Sequence, residues 1–364
     1  MRPSWAEVDL GAVAHNVGLL VERAAPAAVC AVVKADAYGH GAVPVARAAL
    51  DAGATWLAVA LVEEAAELRA DGIDAPILLL SEARPDEFAD VAALDLRPTV
   101  YTPVGIAAAA ATGAPLRLHL KVDTGMHRVG AAPDEALHLA RSVVEDPRLE
   151  LEAVWTHCAV ADEPERRFTA EQLGRLDAVL AELSAAGIEV PMTHAANSAA
   201  AIAHPAARRS LVRCGIAVYG VDPSAELAGT LPLRPALTLR SEVSFVKRVA
   251  AGEGISYGLH HTFDRETTVA TVPVGYADGV RRRLGLLHQQ VLIGGRRRPI
   301  AGVVTMDQLM VDCGDDPVTA GDEVVLIGRQ GDEAVRATEW AAALETIGYE
   351  ITCAIGPRVP RRYL

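Results

Sequence analysis

Residues 29–42 of the chain, VCAVVKADAYGHGA, join an apolar run to a lysine and then to a turn that contains two glycines. The run 29–33 is rich in valine, a residue that favours strands, and Lys34 follows it directly. Lysine is rare here, since only Lys34, Lys121 and Lys247 occur among 34 basic residues and the rest are arginine. A lysine amine can lose its proton and attack a carbonyl, whereas arginine stays charged, so Lys34 is a candidate for covalent chemistry.

Seven further strand-like runs follow the first, separated by alanine-rich segments that have helical spacing and often end in glycine. The eight predicted strands are residues 29–33, 55–60, 76–80, 97–100, 116–122, 151–156, 190–194 and 210–213. Eight strands that each precede a helix predict an α/β fold, a closed (β/α)8 TIM barrel. A doubly wound open sheet would alternate in a similar way, but no GxGxxG pattern follows the first strand.

After about residue 233 the pattern changes to short β-type runs separated by Gly, Asp and Arg turns, with one helix predicted near residues 338–347. The runs include TLRSEVSFVKRV, TTVATVPVGYADG, QQVLIGG, RPIAGVVTMDQLMVDCG and DEVVLIG. We therefore predict a barrel domain over residues 1–233 and a mostly β domain over residues 234–364. The opening AEVDL is strand-like and precedes the barrel, so residues 1–10 are expected to pair with the β domain.

The composition excludes several classes of partner. A net charge of −13 argues against a nucleic-acid interface, and we interpret the arginine clusters 281–283 and 296–298 as solvated turns. No run approaches the roughly 18 apolar residues of a membrane span, and the first ten residues lack the apolar core of a signal peptide. Five scattered cysteines match no metal or redox spacing, which predicts reduced thiols in a cytoplasmic protein without a metal site.

Reactive residues follow five of the predicted strands, at the end where barrel enzymes place their active sites. They are Lys34, Lys121, His157, the group His194, Asn197 and Ser198, and the group Arg213, Gly215 and Ile216. Each residue alone more often has a structural role, for example a surface ion pair for Arg213. Five converging positions together predict a functional site.

The loops after strands seven and eight, HAANSAA and RCGIAVYG, suit an anion, because this is the usual phosphate site of such barrels. Ser198 is expected at the start of a helix, where backbone N–H groups favour negative charge, and Gly215 allows a close backbone approach. An ordinary N-cap serine and a turn glycine are the alternative interpretation.

The segment AVVKADAYGHGA also resembles the cofactor-lysine segment of alanine racemases, barrel-type (fold type III) enzymes that use pyridoxal 5'-phosphate. The similarity continues in order through KVDTGMHRVG, WTHCAVADEP, HAANSAA, RCGIAVYG, GISYG, VPVGYADG, TMDQLMVD and IGYEI, across nearly the whole chain. The resemblance implies an isomerase that interconverts L- and D-alanine with two bases and supplies D-alanine for peptidoglycan.

The resemblance also assigns roles to individual residues. It implies that Lys34 carries the cofactor as a Schiff base and is one base, and that Tyr257 is the other. The implied cofactor contacts are Lys34, Tyr38, Arg128, His157, Asn197, Ser198, Arg213, Gly215, Ile216 and Tyr349. Arg213 would face the pyridine nitrogen, where a guanidinium, which only donates hydrogen bonds, favours an unprotonated ring.

Substrate contacts follow from the same similarity. Arg128 and the Met306 backbone N–H would hold the substrate carboxylate. Lys121 matches a position that is carbamylated in some members, and its alternative role is an ion pair with Asp123. The residues implied to line a narrow substrate channel are Tyr276, Tyr349, Asp162 and Ile347. Asp307 lies near the carboxylate site in sequence without an assigned role.

In such enzymes the residues Tyr257 and Met306 reach the partner's active site, which implies a head-to-tail homodimer with two shared sites. The chain departs from the family at two positions. Val303 stands where the family often has arginine, which puts the charge of the outer entry channel in question. Cys158 stands where the family often has an aromatic residue. The alternatives are a racemase of broader specificity, acting on serine for example, a non-catalytic cofactor-binding protein and a related decarboxylase. The β domain with Tyr257 argues against the second, and Arg213 argues against the third, which needs a carboxylate there.

Overall fold

The structure, a computed structural model, describes residues 3–364, so residues 1 and 2 of the predicted first strand lie outside it. The strands are β1 (Ser4–Val8), β2 (Ala28–Val32), β3 (Trp56–Val59), β4 (Ile77–Leu79), β5 (Arg97–Val100), β6 (Leu116–Lys121), β7 (Leu149–Trp155), β8 (Met192–His194), β9 (Leu211–Cys214), β10 (Leu237–Glu242), β11 (Phe245–Val249), β12 (Gly254–Ile255), β13 (His261–Thr262), β14 (Thr267–Val272), β15 (Gln290–Ile293), β16 (Arg296–Pro299), β17 (Leu309–Gly314), β18 (Glu323–Gln330), β19 (Glu333–Val335) and β20 (Arg361–Tyr363). The helices are α1 (Leu10–Ala24), α2 (Lys34–Gly39), α3 (Ala42–Asp51), α4 (Val62–Ala70), α5 (Phe88–Ala93), α6 (Pro103–Ala111), α7 (Ala136–Val144), α8 (Phe168–Ala185), α9 (Ser198–Ala203), α10 (Ala337–Ala343) and α11 (Gly348–Cys353). Single 3-10 turns lie at Pro85–Glu87, Pro133–Glu135, Pro205–Ala207, Ile216–Tyr219, Tyr257–Leu259, Tyr276–Asp278 and Arg282–Leu284.

Strands β2 to β9 form a closed parallel barrel, and its closure pairs Cys30 of β2 with Arg213 of β9. Most of these strands are short, largely buried runs, and the long helices between them pack an apolar stripe against the barrel. In α1, for example, Val13, Val17 and Leu20 are buried at helical spacing. The predicted (β/α)8 barrel is therefore confirmed, with all eight predicted strands present.

A second unit consists of the described part of residues 1–10, residues 38–41 and residues 235–364. Its main sheet has the order β16-β15-β18-β10-β1-β20, with β19 on β18, and two smaller sheets contain β11-β14-β17 and β12-β13. Strand β1 pairs antiparallel with β10 and parallel with β20. Apolar residues of these strands form the core of the unit around Trp340, which is 2% exposed.

The helix predicted near residues 338–347 is confirmed over its first part as α10, but its predicted end is wrong, because α10 ends at Ala343 and a separate helix, α11, begins at Gly348. The chain turns at Glu345, whose φ is 56°, while the Thr346 N–H donates to Ala341 O at 2.9 Å. This is a Schellman-type helix end, in which glycine normally takes the left-handed position. The sequence has glutamate there, so the usual signal for the helix end is missing.

The interpretation of residues 296–298 as a solvated turn is also wrong, because these arginines lie in strand β16. Arg298 is 7% exposed and donates to Cys313 O at 3.0 Å and to the Asp316 carboxylate at 2.8 Å. Arg297 forms ion pairs with Glu333 and Glu339. Within residues 3–364, no helix has the length and apolar character needed to cross a membrane.

Asn16 joins helix α1 to the end of the barrel through three backbone groups. Its amide donates to Val218 O at 3.1 Å and to Arg234 O at 2.8 Å, and its oxygen accepts from the Arg234 N–H at 2.8 Å. The side chain is fully buried, so water cannot replace these bonds.

We expect Asn16→Ala to lower the free energy of unfolding by roughly 2–4 kcal/mol, because it leaves buried backbone groups without partners. Urea unfolding followed by circular dichroism measures this loss. Glu22→Ala, at an exposed position of the same helix, is the matched control and should change stability by less than about 0.5 kcal/mol. Equal stability of the two variants would contradict the stabilising role of the Asn16 hydrogen bonds.

Candidate active site

The segment that follows Lys34 is a left-handed helical turn. Ala35, Asp36, Ala37 and Tyr38 have φ between 51° and 53°, and Gly39 has φ 82°. Left-handed helix costs roughly 1–2 kcal/mol for each residue with a side chain, so this turn needs support from its surroundings.

Glu64, in the first turn of α4, supplies part of that support. Its carboxylate accepts the Ala35 N–H at 2.6 Å and, through the other oxygen, the N–H groups of Ala60 and Leu61 at 2.8 and 3.1 Å. The Asp36 carboxylate accepts the Ala42 N–H at 2.8 Å and closes the far end of the turn. The backbone that begins at Lys34 is therefore held at both ends by carboxylates.

Tyr38 and Tyr349, both expected to contact the cofactor, lie together in the unit that contains residues 235–364. Their ring centroids are 5.8 Å apart. Tyr38 is 8% exposed, and burial raises the pKa of its hydroxyl, which stays protonated and able to donate. Arg361 donates to Gly39 O at 2.9 Å and ties the same segment to β20.

Positive charge gathers at the carboxyl ends of the barrel strands, around Trp155. The Lys121 amine lies 4.5 Å and the Arg213 guanidinium 4.4 Å from the indole centroid. Burial, together with the charges of Arg213 and Arg128, lowers the pKa of Lys121 to about 7. The positive charge of Lys34 also lowers the pKa of Lys121. The barrel therefore concentrates four cationic side chains that were predicted for the site.

The alternative role for Lys121, an ion pair with Asp123, is wrong for the described residues. The Asp123 carboxylate instead accepts the backbone N–H groups of Gly125, Met126 and His127 at 2.9, 2.9 and 3.1 Å. Burial, and then the charges of Arg213 and Arg128, lower the pKa of Lys121, and the charge of Asp123 offsets only part of that fall.

Arg213 is buried, with 3% exposure, so the alternative of a surface ion pair is also wrong. It donates to Thr156 O at 2.9 Å, to Ala195 O at 3.2 Å and to His194 Nδ1 at 2.7 Å. Within residues 3–364 it contacts no carboxylate and forms no hydrogen bond through Nε. Burial lowers the pKa of Arg213 to about 10, so the group stays charged at neutral pH.

His157 lies 3.3 Å from Arg213 through its Nδ1 atom. Burial and then the charge of Arg213 hold the pKa of His157 well below its ordinary value. Since Arg213 can only donate, Nδ1 accepts and the neutral ring carries its proton on Nε2.

The loops after β8 and β9 meet at Ser198. Its hydroxyl accepts the N–H groups of Gly215 at 2.9 Å and Ala217 at 3.4 Å. The alternative of an N-cap serine is wrong, because Asn197 caps α9 by accepting the Ala200 N–H at 2.9 Å. Ile216 is fully buried beside them. Three of the expected phosphate contacts are thus adjacent.

Of the remaining predicted residues, Asp162 lies in the barrel unit, and Tyr257, Tyr276, Val303, Met306 and Ile347 lie in the β unit. Tyr257 and Met306 are 71% and 52% exposed in the single chain, and Ile347 and Tyr276 are also exposed. Val303 is buried, and its carbonyl accepts the Ser256 hydroxyl at 2.7 Å.

Asp307, for which no role was predicted, forms an ion pair with Arg358 at 2.6 Å. Arg358 also lies 3.3 Å from the buried carboxylate of Asp278. Asp307 is thereby one of two carboxylates that hold Arg358.

Comparison with known proteins identifies the family. The family model described as "Alanine racemase, N-terminal domain" matches residues 8–223, and "Alanine racemase, C-terminal domain" matches residues 236–363. The chain belongs to the alanine racemase family.

Members of the alanine racemase family match over the full length. A protein named alanine racemase from Symbiobacterium thermophilum is 51% identical, with 100% of this chain and 97% of the relative covered. The alanine racemase crystal structure from Streptomyces lavendulae has a TM-score of 0.95 at 43% identity, covering 100% and 97% of the two chains. The structure from Bacillus anthracis, with bound L-Ala-P, has a TM-score of 0.94 at 42% identity, covering 100% and 95%.

Sequence reasoning missed Glu64, Trp155 and His119 as parts of the site. For His119 a signal existed, since the run 116-LRLHLK-121 places it two residues before Lys121, on the same face of a strand. For Glu64 no signal existed, because its partners Ala35 and Ala60 are backbone groups brought together only by folding.

We expect Glu64→Ala to release the turn after Lys34, because three backbone N–H groups lose a charged acceptor. The amides of Ala35, Ala60 and Leu61 should lose protection in hydrogen exchange, and unfolding free energy should fall by about 1–2 kcal/mol. Glu63→Ala, exposed on the same helical turn, is the control and should leave those amides protected. Unchanged exchange at Ala35 in Glu64→Ala would refute the role of Glu64.

Proposed function

We propose that this protein is a pyridoxal 5'-phosphate-dependent alanine racemase that interconverts L- and D-alanine. The cationic cluster around the buried side chains of Lys121 and Arg213 carries this proposal, in a chain that matches the alanine racemase family over its length. The positive charges of Lys34, Lys121, Arg128 and Arg213 suit a bound anion, and the cofactor and the substrate carboxylate are both anionic.

When bound, pyridoxal 5'-phosphate supplies an aldehyde that condenses with amines and an aromatic ring that withdraws electrons from the adjacent carbon. The residues present fit this group. Arg213 is buried and forms no hydrogen bond through Nε within residues 3–364, so a donor remains for the ring nitrogen. Lys34 would hold the cofactor through its amine, and His157 would pack against the ring.

The phosphate would be held where the loops after β8 and β9 meet. The residues proposed to hold it are Tyr38, Ser198, Gly215, Ile216 and Tyr349, and Asn197 is proposed as a further cofactor contact. The Gly215 and Ala217 N–H groups already converge on the Ser198 hydroxyl, which supports this placement.

Racemisation requires proton removal on one face of the α-carbon and proton return on the opposite face. We assign the two bases to Lys34 and Tyr257. Arg128 and the Met306 backbone N–H would hold the substrate carboxylate between them. Arg213 stays charged and only donates, so it would keep the ring nitrogen unprotonated and limit side reactions of the carbanion.

The proposed unit is a homodimer in which Tyr257 and Met306 complete the partner's site. Tyr257, Leu259, Met306 and Ile347 are all more than half exposed in the single chain. Monomeric proteins rarely leave several large apolar side chains exposed in one unit, which supports a partner that covers them.

We place the enzyme in the cytoplasm, where it would supply D-alanine for peptidoglycan. All five cysteines are free thiols, as expected in a reducing compartment.

We expect the wild-type protein to exchange the α-hydrogen of alanine in D2O and to racemise either enantiomer. Lys34→Ala and Tyr257→Phe should each lose most turnover, since each removes one base. If sites are shared, an equimolar mixture of the two inactive variants after subunit exchange should regain about a quarter of wild-type turnover, because only mixed dimers carry one intact site.

An inactive mixture would contradict shared sites while leaving the racemase assignment intact. The substrate specificity is measured by the rate of α-hydrogen exchange in D2O across a panel of amino acids. Comparable rates on alanine and serine would overturn alanine specificity in favour of a broader racemase.

Lys121 is proposed to be carbamylated, because CO2 adds to a neutral amine and the pKa of Lys121 is lowered to about 7. The product is an anion that would accept hydrogen bonds from Arg128. Carbamylation should rise as pH increases through 7 and be lost below it, where the amine is protonated.

We expect 13C NMR in 13C-bicarbonate to show a carbamate signal at about pH 8 that disappears at about pH 6. Lys121→Met should lack the signal. Lys247→Met, which removes an exposed lysine, is the control and should retain it. A signal that persists in Lys121→Met would overturn the assignment.

A further inference from the structure

A chain of buried polar side chains leads from Arg213 into the barrel. Arg213 lies 2.7 Å from His194 Nδ1, His194 Nε2 lies 3.0 Å from His119 Nδ1, and His119 Nε2 lies 2.9 Å from a Glu152 oxygen. Both histidines are fully buried. His194 stacks on Trp155 with ring centroids 5.2 Å apart, and the ring of His119 lies tilted beside Trp56 at 5.6 Å.

The chemistry of the end groups determines the direction of every hydrogen bond in this chain. Arg213 can only donate, so His194 Nδ1 accepts and its Nε2 carries the proton. His194 therefore donates to His119 Nδ1, which leaves the His119 proton on Nε2. That proton is donated to the Glu152 carboxylate, which can only accept. Because Arg213 only donates and Glu152 only accepts, all three hydrogen bonds can run in one direction, from Arg213 to Glu152.

The barrel has a local irregularity that places Glu152 in this position. Leu118 pairs with Leu151 and His119 with Ala153, so Glu152 is an extra residue of β7 without a partner on β6. This is the arrangement of a β-bulge, which re-aims a side chain. The same Glu152 oxygen lies 3.4 Å from Arg97 Nε, and Arg97 also pairs with Asp95.

Glu152 is the carboxylate that the hydrogen bonds of His194 and His119 link indirectly to Arg213. Arg213 contacts no carboxylate directly within residues 3–364, and a buried unpaired cation is costly. Burial would raise the pKa of Glu152, but its bond from His119 and the charge of Arg97 hold that pKa below its usual value. Burial and then the charge of Arg213 lower the pKa of His194, so both rings stay neutral.

We propose that Glu152 is a positioning residue that, through His119 and His194, fixes the proton positions on both imidazoles and so the orientation of Arg213 toward the cofactor ring. This role rests on the proposed function of Arg213 in the racemase. A change at Glu152 would leave the proton positions held from the Arg213 end alone, so the reversed arrangement, with the protons of both rings on Nδ1, would become accessible. A His194 proton on Nδ1 would point at the Arg213 N–H and displace the guanidinium.

The first test is the tautomeric state of the two histidines, measured by 15N NMR of the imidazole nitrogens in the cofactor-free protein. Both rings should be neutral with the proton on Nε2 between about pH 6 and pH 8. The signals are assigned with His119→Phe and His194→Phe. A wild-type ring with its proton on Nδ1, or a protonated ring, overturns the proposal without any reference to activity.

The second test compares three variants of strand β7. Glu152→Leu removes the acceptor, Glu152→Gln keeps an acceptor oxygen, and Glu150→Gln changes an exposed carboxylate two residues away. Glu152→Leu should mix the His119 tautomers and lower kcat about tenfold or more with KM changed less than about twofold, as for lost outer-shell orienting groups. Glu152→Gln should restore both the tautomers and most of kcat, and Glu150→Gln should match wild type.

The proposal would be overturned if Glu152→Leu had the same kcat and the same histidine tautomers as the wild type. If Glu152→Leu does not fold, His119→Phe provides the same break, and unchanged His194 tautomer and kcat in that variant would have the same meaning. Failure of the wild type to racemise any amino acid would refute the proposed function instead, and the tautomer measurement would still stand.

Discussion

Arg213 stacks on Trp155 and donates hydrogen bonds to backbone carbonyls and imidazoles, and the interior of the barrel is arranged around this buried charge. A guanidinium cannot release its proton at neutral pH, so its surroundings must accept hydrogen bonds or supply negative charge. The fold supplies carbonyl and imidazole acceptors that contact Arg213 directly. It also supplies one carboxylate, Glu152, which is linked to Arg213 through the side chains of His194 and His119.

The same charge explains the states of its neighbours. Lys121 is buried, His157 is half-buried, and both lie near Arg213, so each would add another positive charge there if protonated. Their pKa values therefore fall, which leaves a neutral imidazole beside the guanidinium and an amine that is partly neutral at physiological pH. An anionic cofactor and a substrate carboxylate would restore the balance of charge, which links the electrostatics of the apoprotein to its proposed chemistry.

The strained turn after Lys34 is the second constraint. Four left-handed residues with side chains cost several kcal/mol in total, and the Glu64 and Asp36 carboxylates and the packing of Tyr38 on Tyr349 offset that cost. Strain of this kind is found where function needs a particular backbone path. Here the path determines how Lys34 is presented at the end of β2.

The sequence alone determined the barrel, because each strand is a short apolar run and each helix has its own apolar period. It also determined the family and the residue types at the strand ends, since these depend on local pattern and order. It missed the division between α10 and α11, where glutamate adopts a conformation usual for glycine, and the burial of Arg298, whose partner Asp316 is in another segment. Only the tertiary structure decided that Glu152, His119 and His194 join Arg213, and that Glu64 holds the turn after Lys34. These contacts connect residues from 19 to 75 positions apart, or side chains to backbone groups, and no local pattern encodes which of many polar residues will meet.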